Sequence, residues 1–148
     1  MLNWKLIIQL SLFGLAMGIL TVFLPMPPSL EMVFWLVIFV ICAYVIGKQA
    51  PGKYFHHGMM VSVVNSFWIV AAHVLLFSQY LASHPEQAQM MAIMPLSNQP
   101  RLLMIITGLL VGVVSGAVLG VFAVVAKKLL TEPSDETEPS EETEPSEE

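Results

Sequence analysis

The chain has 148 residues, of which 56% are hydrophobic and 11% are charged, whereas a soluble domain carries about 25% charged residues. Residues 1–130 contain all six Lys and Arg residues but only two acids, Glu31 and Glu86, and the other acids lie in residues 131–148. This distribution excludes a nucleic-acid binder, which needs a basic face. The single Cys42 excludes an intrachain disulfide and a paired-cysteine metal or redox motif.

Four apolar stretches are long enough to cross a bilayer core of about 30 Å, which needs roughly 20 residues of helix. Prolines end the first stretch, because proline lacks the N–H group that a helix interior needs. Ser29 is expected to cap the second stretch and Gly47 to end it. The sequence therefore predicts an all-α fold, a four-helix transmembrane bundle in residues 1–130. The predicted spans are residues 6–24, 30–47, 58–82 and 102–126.

The segment between the third and fourth spans predicts a short surface helix. Ser83 and Glu86 have the spacing of a capping box, which indicates a helix over residues 84–94. The methionines of this segment fit the apolar face of such a helix, where methionine acts as a flexible apolar residue. Ligand softness is the only argument for copper at these thioethers, so we predict no metal site and no cofactor.

The Lys and Arg residues indicate how the spans are oriented. With four spans, the N-terminus, the loop after the second span and the C-terminus share one side, which holds all five lysines, and Arg101 lies on the other side. Because basic residues near span ends stay in the cytoplasm, we predict a multi-pass protein with both termini cytoplasmic. The first span is expected to be retained, since its apolar run is longer than that of a signal peptide and no small-residue cleavage site follows.

Glycines recur every four residues in the first and last spans, a pattern known as a glycine zipper. In lipid, helices associate through close van der Waals approach, which rows of small residues permit. In the interpretation that we favour, the last span packs against the first within one chain, because the two small faces suit each other. The other interpretation is a contact between copies of the chain. The predicted packing residues are Gly14, Gly18, Gly108, Gly112, Gly116 and Gly120.

The third span carries a concentrated set of polar side chains at depth. At about 100° per residue they share one face of the helix. An ionisable side chain inside a membrane is by default a functional-site hypothesis, whereas Ser and Asn also stabilise bundles by bonding neighbouring helices. A stripe that faces a cavity would indicate a site for a ligand, a proton or an ion. A stripe that contacts packed helices would indicate a structural role. The candidate intramembrane site is Ser62, Asn65, Ser66 and His73.

Residues 131–148 repeat a six-residue unit three times, as TEPSDE, TEPSEE and TEPSEE. The unit has no apolar side chain other than proline and carries a high negative charge, so it cannot bury a core. The sequence predicts a disordered acidic tail that is separate from the membrane body.

Several features of residues 1–130 occur together: the glycine-bearing first span, GKYFHHG at the start of the third span, SHPE after it, and a glycine-rich last span that ends in Lys127 and Lys128. With these features the chain resembles an uncharacterised family of small four-helix integral membrane proteins of bacteria. The resemblance implies a location in the bacterial inner membrane and adds no activity.

The sequence contains no nucleophile elbow, P-loop, dinucleotide fingerprint or paired intramembrane carboxylate, so no motif predicts an enzyme. The first functional interpretation is a non-enzymatic assembly or accessory protein. Its partners would be the lipid bilayer and either further copies of the chain or another membrane protein, and no nucleic acid. The alternative is a small transporter or channel component that uses the polar stripe of the third span.

Overall fold

The computed structural model describes residues 1–95 and 97–131, and these residues form six helices and no strand. Four of the helices are long and apolar enough to cross a membrane, and the all-α class is confirmed. The predicted tail lies outside the described residues except for Thr131, which belongs to the last helix. The helices are α1 (Trp4–Phe23), α2 (Pro28–Gln49), α3 (Tyr54–Leu75), α4 (Phe77–Ser83), α5 (Pro85–Ile93) and α6 (Pro100–Thr131).

The two predicted ends of the second helix are wrong. Helix α2 begins at Pro28, so Ser29 lies inside the first turn and does not cap it. Proline suits this position because its fixed φ is helical and its missing N–H group would have no partner there. At the other end, the helix continues through Gly47 to Gln49. Gly47 is buried against α6 and serves the close approach of the two helices.

The third predicted span is interrupted. Helix α3 ends at Leu75, and α4 starts at Phe77 after a turn in which Leu76 has φ −102° and ψ 32°. No proline or glycine marks this position, and the apolar run continues across it. Neither helix-breaking residues nor hydropathy therefore indicated the break. The predicted short helix is present as α5, but the capping box is wrong. Ser83 is the last residue of α4, and α5 begins at Pro85 without a side-chain cap.

Interhelical contacts establish the direction of the four long helices. Along α1 and α3, Gly14 meets Asn65 and Thr21 meets His73, so these helices run parallel. Successive glycines of α6 meet residues progressively earlier in α3, so α6 runs antiparallel to α3. We call the end that holds the N-terminus, the 50–53 turn and Thr131 the terminal end, and the opposite end, with α4 and α5, the distal end.

Most of the largest hydrophobic cluster lies in the terminal half of the bundle. Side chains of α1, α2, α3 and α6 form one cluster there, and its members in α2 all lie from Ile38 onward. Nearer the distal end, α2 adds only the partly buried Trp35 to this packing, and space remains between α2 and α3. The best buried members of the cluster are Ile7, Cys42, Ile46, Val61, Leu119 and Ala123.

The glycine faces of the first and last spans do not meet each other, so the favoured interpretation is wrong. Both faces pack against α3, which is the central helix. A Cβ atom at Gly18 would lie 3.0 Å from Ile69 Cα, and one at Gly120 would lie 2.8 Å from the Phe55 carbonyl oxygen. Helix α3 suits both neighbours because it also presents small residues, among them Gly58, at these contacts.

Candidate functional site

The polar stripe of α3 is hydrogen-bonded to both neighbouring helices. Towards α1, the Gly14 N–H group donates to Asn65 Oδ1 at 2.7 Å. His73 Nε2 lies 2.9 Å from the Thr21 hydroxyl on the same side. Towards α6, the hydroxyl oxygens of Ser62 and Ser115 are 2.8 Å apart. These bonds hold α3 between its neighbours and satisfy polar groups at depth, as an apolar environment requires. This is the structural role that the stripe was expected to have in one of its two interpretations.

The same stripe also borders a cavity, which is the feature that the other interpretation required. A crevice of about 290 Å³ lies between the distal half of α2 and the pair α3 and α6. One wall is polar and the opposite wall is formed by α2. The polar wall consists of Ser62, Asn65, Ser66 and Ser115, and α2 contributes Glu31, Trp35 and Phe39.

Ser66 is the stripe residue with the strongest indication of unused hydrogen-bonding capacity. Its side chain is only 7% exposed, and its hydroxyl has no described hydrogen bond. Among residues 1–95 and 97–131, every fully buried side-chain nitrogen or oxygen has a partner. The Ser66 side chain lies against Gly112 of α6 and lines the crevice. The Asn65 amide likewise uses its oxygen for Gly14, while its NH₂ group has no described acceptor.

A second cavity, of about 460 Å³, lies at the distal end, and we call it the vestibule. Its walls come from the end of α1, the start of α2, the end of α3, and α4 and α5. Glu31 lines both the vestibule and the crevice. The titratable side chains of the vestibule are Glu31, His73, Tyr80, His84 and Glu86.

Three aromatic rings form one wall of the vestibule. The ring of Tyr80 stacks on His73 with centroids 4.4 Å apart and on His84 with centroids 4.6 Å apart. His84 Nδ1–H donates to the Tyr80 carbonyl oxygen at 3.0 Å, which fixes the orientation of its ring. The break between α3 and α4 lies inside this column, between His73 and Tyr80. The column connects His73 of the predicted stripe to Tyr80 and His84, which were not part of the predicted candidate site.

Glu31 is a site residue that the sequence analysis missed. It lies at the start of the second predicted span, where the sequence gave it no functional role. In the structure it is partly buried, and Trp35 Nε1–H donates to its Oε1 atom at 3.3 Å. One signal could have found it: Glu31 and Glu86 are the only acids in residues 1–130, and both line the vestibule.

His57 is a second residue whose surroundings differ from expectation. Its side chain is 0% exposed, although it belongs to the GKYFHHG segment at the start of the third predicted span. The Asn3 backbone N–H donates to His57 Nε2 at 2.9 Å, and His57 Nδ1–H donates to the Lys53 carbonyl oxygen at 3.1 Å. Since Nε2 accepts and Nδ1 donates, the ring is a neutral tautomer. It ties the N-terminus to α3 and closes the terminal end.

The arrangement is suited to binding. Two adjoining cavities combine apolar walls with a few convergent polar groups, as small-molecule sites do. In the described part of the chain, no group of three or more His, Cys, Asp or Glu residues is placed to hold a metal ion. In the described residues, the fold and the site define a helical protein with four candidate membrane-spanning helices and a mainly apolar crevice that carries a few polar groups. No known protein family, curated protein or solved structure matches the chain.

Proposed function

We propose that the chain is a small transporter or channel component that binds its solute in the crevice beside α3. It is a multi-pass protein of the bacterial inner membrane, and both termini are cytoplasmic. The observation that carries the proposal is that Ser62, Asn65 and Ser66 border a cavity near the middle of their helix. Polar residues at that depth otherwise face packed protein, because unsatisfied groups in hydrocarbon are costly.

The asymmetry of the bundle supports binding from one side. At the terminal end, the core cluster and the buried His57 fill the space between the helices. Towards the distal end, the crevice and the vestibule share Glu31. A solute would enter through the vestibule and reach the α3 stripe. In the proposed orientation that route starts outside the cytoplasm.

The proposed orientation is supported by where the basic side chains lie. At the terminal end, Lys127 lies over the Tyr54 ring at 5.7 Å and Lys48 over the Tyr44 ring at 5.8 Å. Aromatic rings are typical of both membrane interfaces, and an excess of basic residues is typical of the cytoplasmic one. A reporter that works only in the cytoplasm should be active when it is fused after residue 148. Activity of a reporter that works only outside the cytoplasm would reverse the proposed orientation.

Cysteine accessibility tests the proposal. In a Cys42→Ala background, Ser66→Cys and Ser115→Cys should react with a small, charged, membrane-impermeant thiol reagent added outside, because thiolates form only where water reaches. Ser11→Cys is the matched buried control, since Ser11 is 0% exposed and lies between α1 and α3. Reaction at the crevice positions but not at Ser11→Cys supports the proposal. Protection of both crevice positions would reject it.

The second candidate function is a non-enzymatic assembly or accessory protein. It is supported by the hydrogen bonds that the stripe makes to α1 and α6, which stabilise the bundle whether or not a solute binds. An apolar groove of about 470 Å³ between α2 and α6, lined by Tyr44, Phe122 and Leu130 among others, is a surface on which a membrane partner or a second copy could pack. Protected crevice cysteines, together with co-purification of a partner in mild detergent, would favour this function.

A further inference from the structure

We infer that the solute is a small organic cation with an apolar body: its positive charge lies at the Glu31 carboxylate and its apolar part occupies the crevice. This inference rests on the proposed binding function and adds the chemical class of the ligand. Three observations carry it: the charge of Glu31, which lines both cavities, the composition of the crevice walls, and the polar groups of the stripe that have no described hydrogen-bond partner.

The charge at the junction of the two cavities is negative. Glu31 receives its described hydrogen bond from the Trp35 Nε1–H group, which is a neutral donor. Among residues 1–95 and 97–131, no basic side chain is described as its partner. Glu86 adds a second carboxylate to the vestibule. A partly buried carboxylate is stabilised by a cation that approaches it, because Coulomb attraction grows as the dielectric falls.

Of the Lys and Arg side chains that the structure describes, none lines the crevice or the vestibule. Arg101 is the basic residue of the distal end, and its guanidinium group lies over the Phe77 ring at 5.3 Å. His73 and His84 do face the vestibule, but each has a hydrogen-bonding neighbour and a face covered by Tyr80. The carboxylate of Glu31 is therefore the feature of the junction that discriminates between ligand charges.

The crevice next to Glu31 has apolar and aromatic walls. Trp35 and Phe39 line one side, and Ile69 and Val111 lie across from them. Such walls bind an apolar body by removing its surface from water. The indole face of Trp35 also attracts a cation within about 6 Å of its centre. An inorganic ion would use none of this apolar surface, which is why the geometry points to an organic ligand.

The stripe supplies polar contacts beyond the apolar walls. The Ser66 hydroxyl and the Asn65 NH₂ group have no described partner although both residues are more than nine-tenths buried. They can donate hydrogen bonds to an acceptor on the apolar body, such as an ether or a carbonyl oxygen. A ligand that contacts both Glu31 and the stripe supplies partners to polar groups that would otherwise have none in the described structure.

The test uses three probes of nearly the same shape. Benzyltrimethylammonium is the cation, neopentylbenzene is its neutral carbon isostere, and phenylmethanesulfonate is an anion of similar size. Equilibrium dialysis of the full chain in a non-ionic detergent, with labelled benzyltrimethylammonium and the other two as competitors, measures the selectivity. Empty micelles provide the background. We expect the cation to bind at least about tenfold more tightly than either competitor, as one charge-assisted contact provides.

Glu31→Gln is the matched variant, because the amide keeps the size of the side chain and an oxygen for the Trp35 N–H group. It should weaken binding of the cation about tenfold and leave the neutral probe unchanged. Glu31→Asp, which keeps the charge, should retain most of the selectivity. Circular dichroism and gel filtration of each variant establish that the bundle is intact, so that lost binding is not lost folding.

The outcomes separate this inference from the proposed function. Reactive crevice cysteines together with equal affinity for cation and neutral probe, or a Glu31→Gln variant with unchanged affinity, would overturn the cation and leave the binding function. Reactive cysteines with no binding of any of the three probes would also overturn the ligand class. Unreactive cysteines would overturn both, because the crevice would then be closed to solutes.

Discussion

Replacing Gly58 by alanine tests the close packing of α3 on α6, the interface that holds the candidate site in place. A Cβ atom at this position would lie 2.7 Å from three backbone atoms of α6: the Cα and N of Gly120 and the carbonyl oxygen of Leu119. Backbone atoms cannot rotate away as side chains do. The helices would have to separate until these contacts reach the 3.4 Å at which ordinary van der Waals contact begins.

The cost follows from that displacement. The gap between 2.7 Å and 3.4 Å requires a shift of about 0.7 Å, and a radial gap of roughly this size forfeits a quarter to a half of a contact's dispersion energy. Overpacking of this kind costs about 1–3 kcal/mol. Alanine also gains about 0.5–1 kcal/mol of helix propensity over glycine, which offsets a part of the cost. We expect a net loss of stability of about 1–2 kcal/mol.

The assay is unfolding of the purified chain in mixed micelles by increasing dodecyl sulfate, followed by circular dichroism. Gly108→Ala is the matched control in α6. Its Cβ would meet the Val70 side chain and no backbone atom, and a displaced rotamer costs about 0.5–1.5 kcal/mol, close to the helix propensity gained. The reasoning is refuted if Gly58→Ala unfolds at the wild-type concentration, or if Gly108→Ala is destabilised as much.

Three further predictions concern the hydrogen bonds. A double-mutant cycle of Ser62→Ala and Ser115→Ala should give a coupling of about 0.6 kcal/mol in the same unfolding assay, and additive losses would show that their 2.8 Å contact contributes nothing. Asn65→Leu should cost about 1–3 kcal/mol, since leucine cannot accept the Gly14 N–H bond and overfills the contact; unchanged stability would contradict the bond. Asn3→Ala should cost about 1 kcal/mol through loss of the α1 cap, whereas Asn3→Ser should restore most of it.

The sequence alone determined the number and approximate positions of the long helices. Their apolar runs match the thickness of a bilayer, a constraint that each segment must meet on its own. The prolines after the first span also placed a boundary correctly, because their effect on the backbone is local. The location in the inner membrane, the orientation and the oligomeric state stay predictions, since they depend on the cell and on partners.

Only the tertiary structure decided which helix the glycine faces contact. Small residues permit close approach to any neighbour, so Gly14 and Gly112 suited each other in sequence as well as they suit α3. The central position of α3 depends on contacts with two helices at once, such as Asn65 with Gly14 and Ser62 with Ser115. Such pairings link residues far apart in the chain, and no local pattern records them.

The polar stripe of α3 shows the same division for the candidate site. Helical periodicity was enough to group Ser62, Asn65 and Ser66 on one face, because the rotation per residue is constant. Whether that face met protein or space depended on α2, whose fully buried core residues begin at Ile38 and whose first turns border a cavity beside α3. That separation places Glu31 between the crevice and the vestibule. The sequence thus determined which side chains are polar at depth, and the packing of α2 decided that they border a cavity.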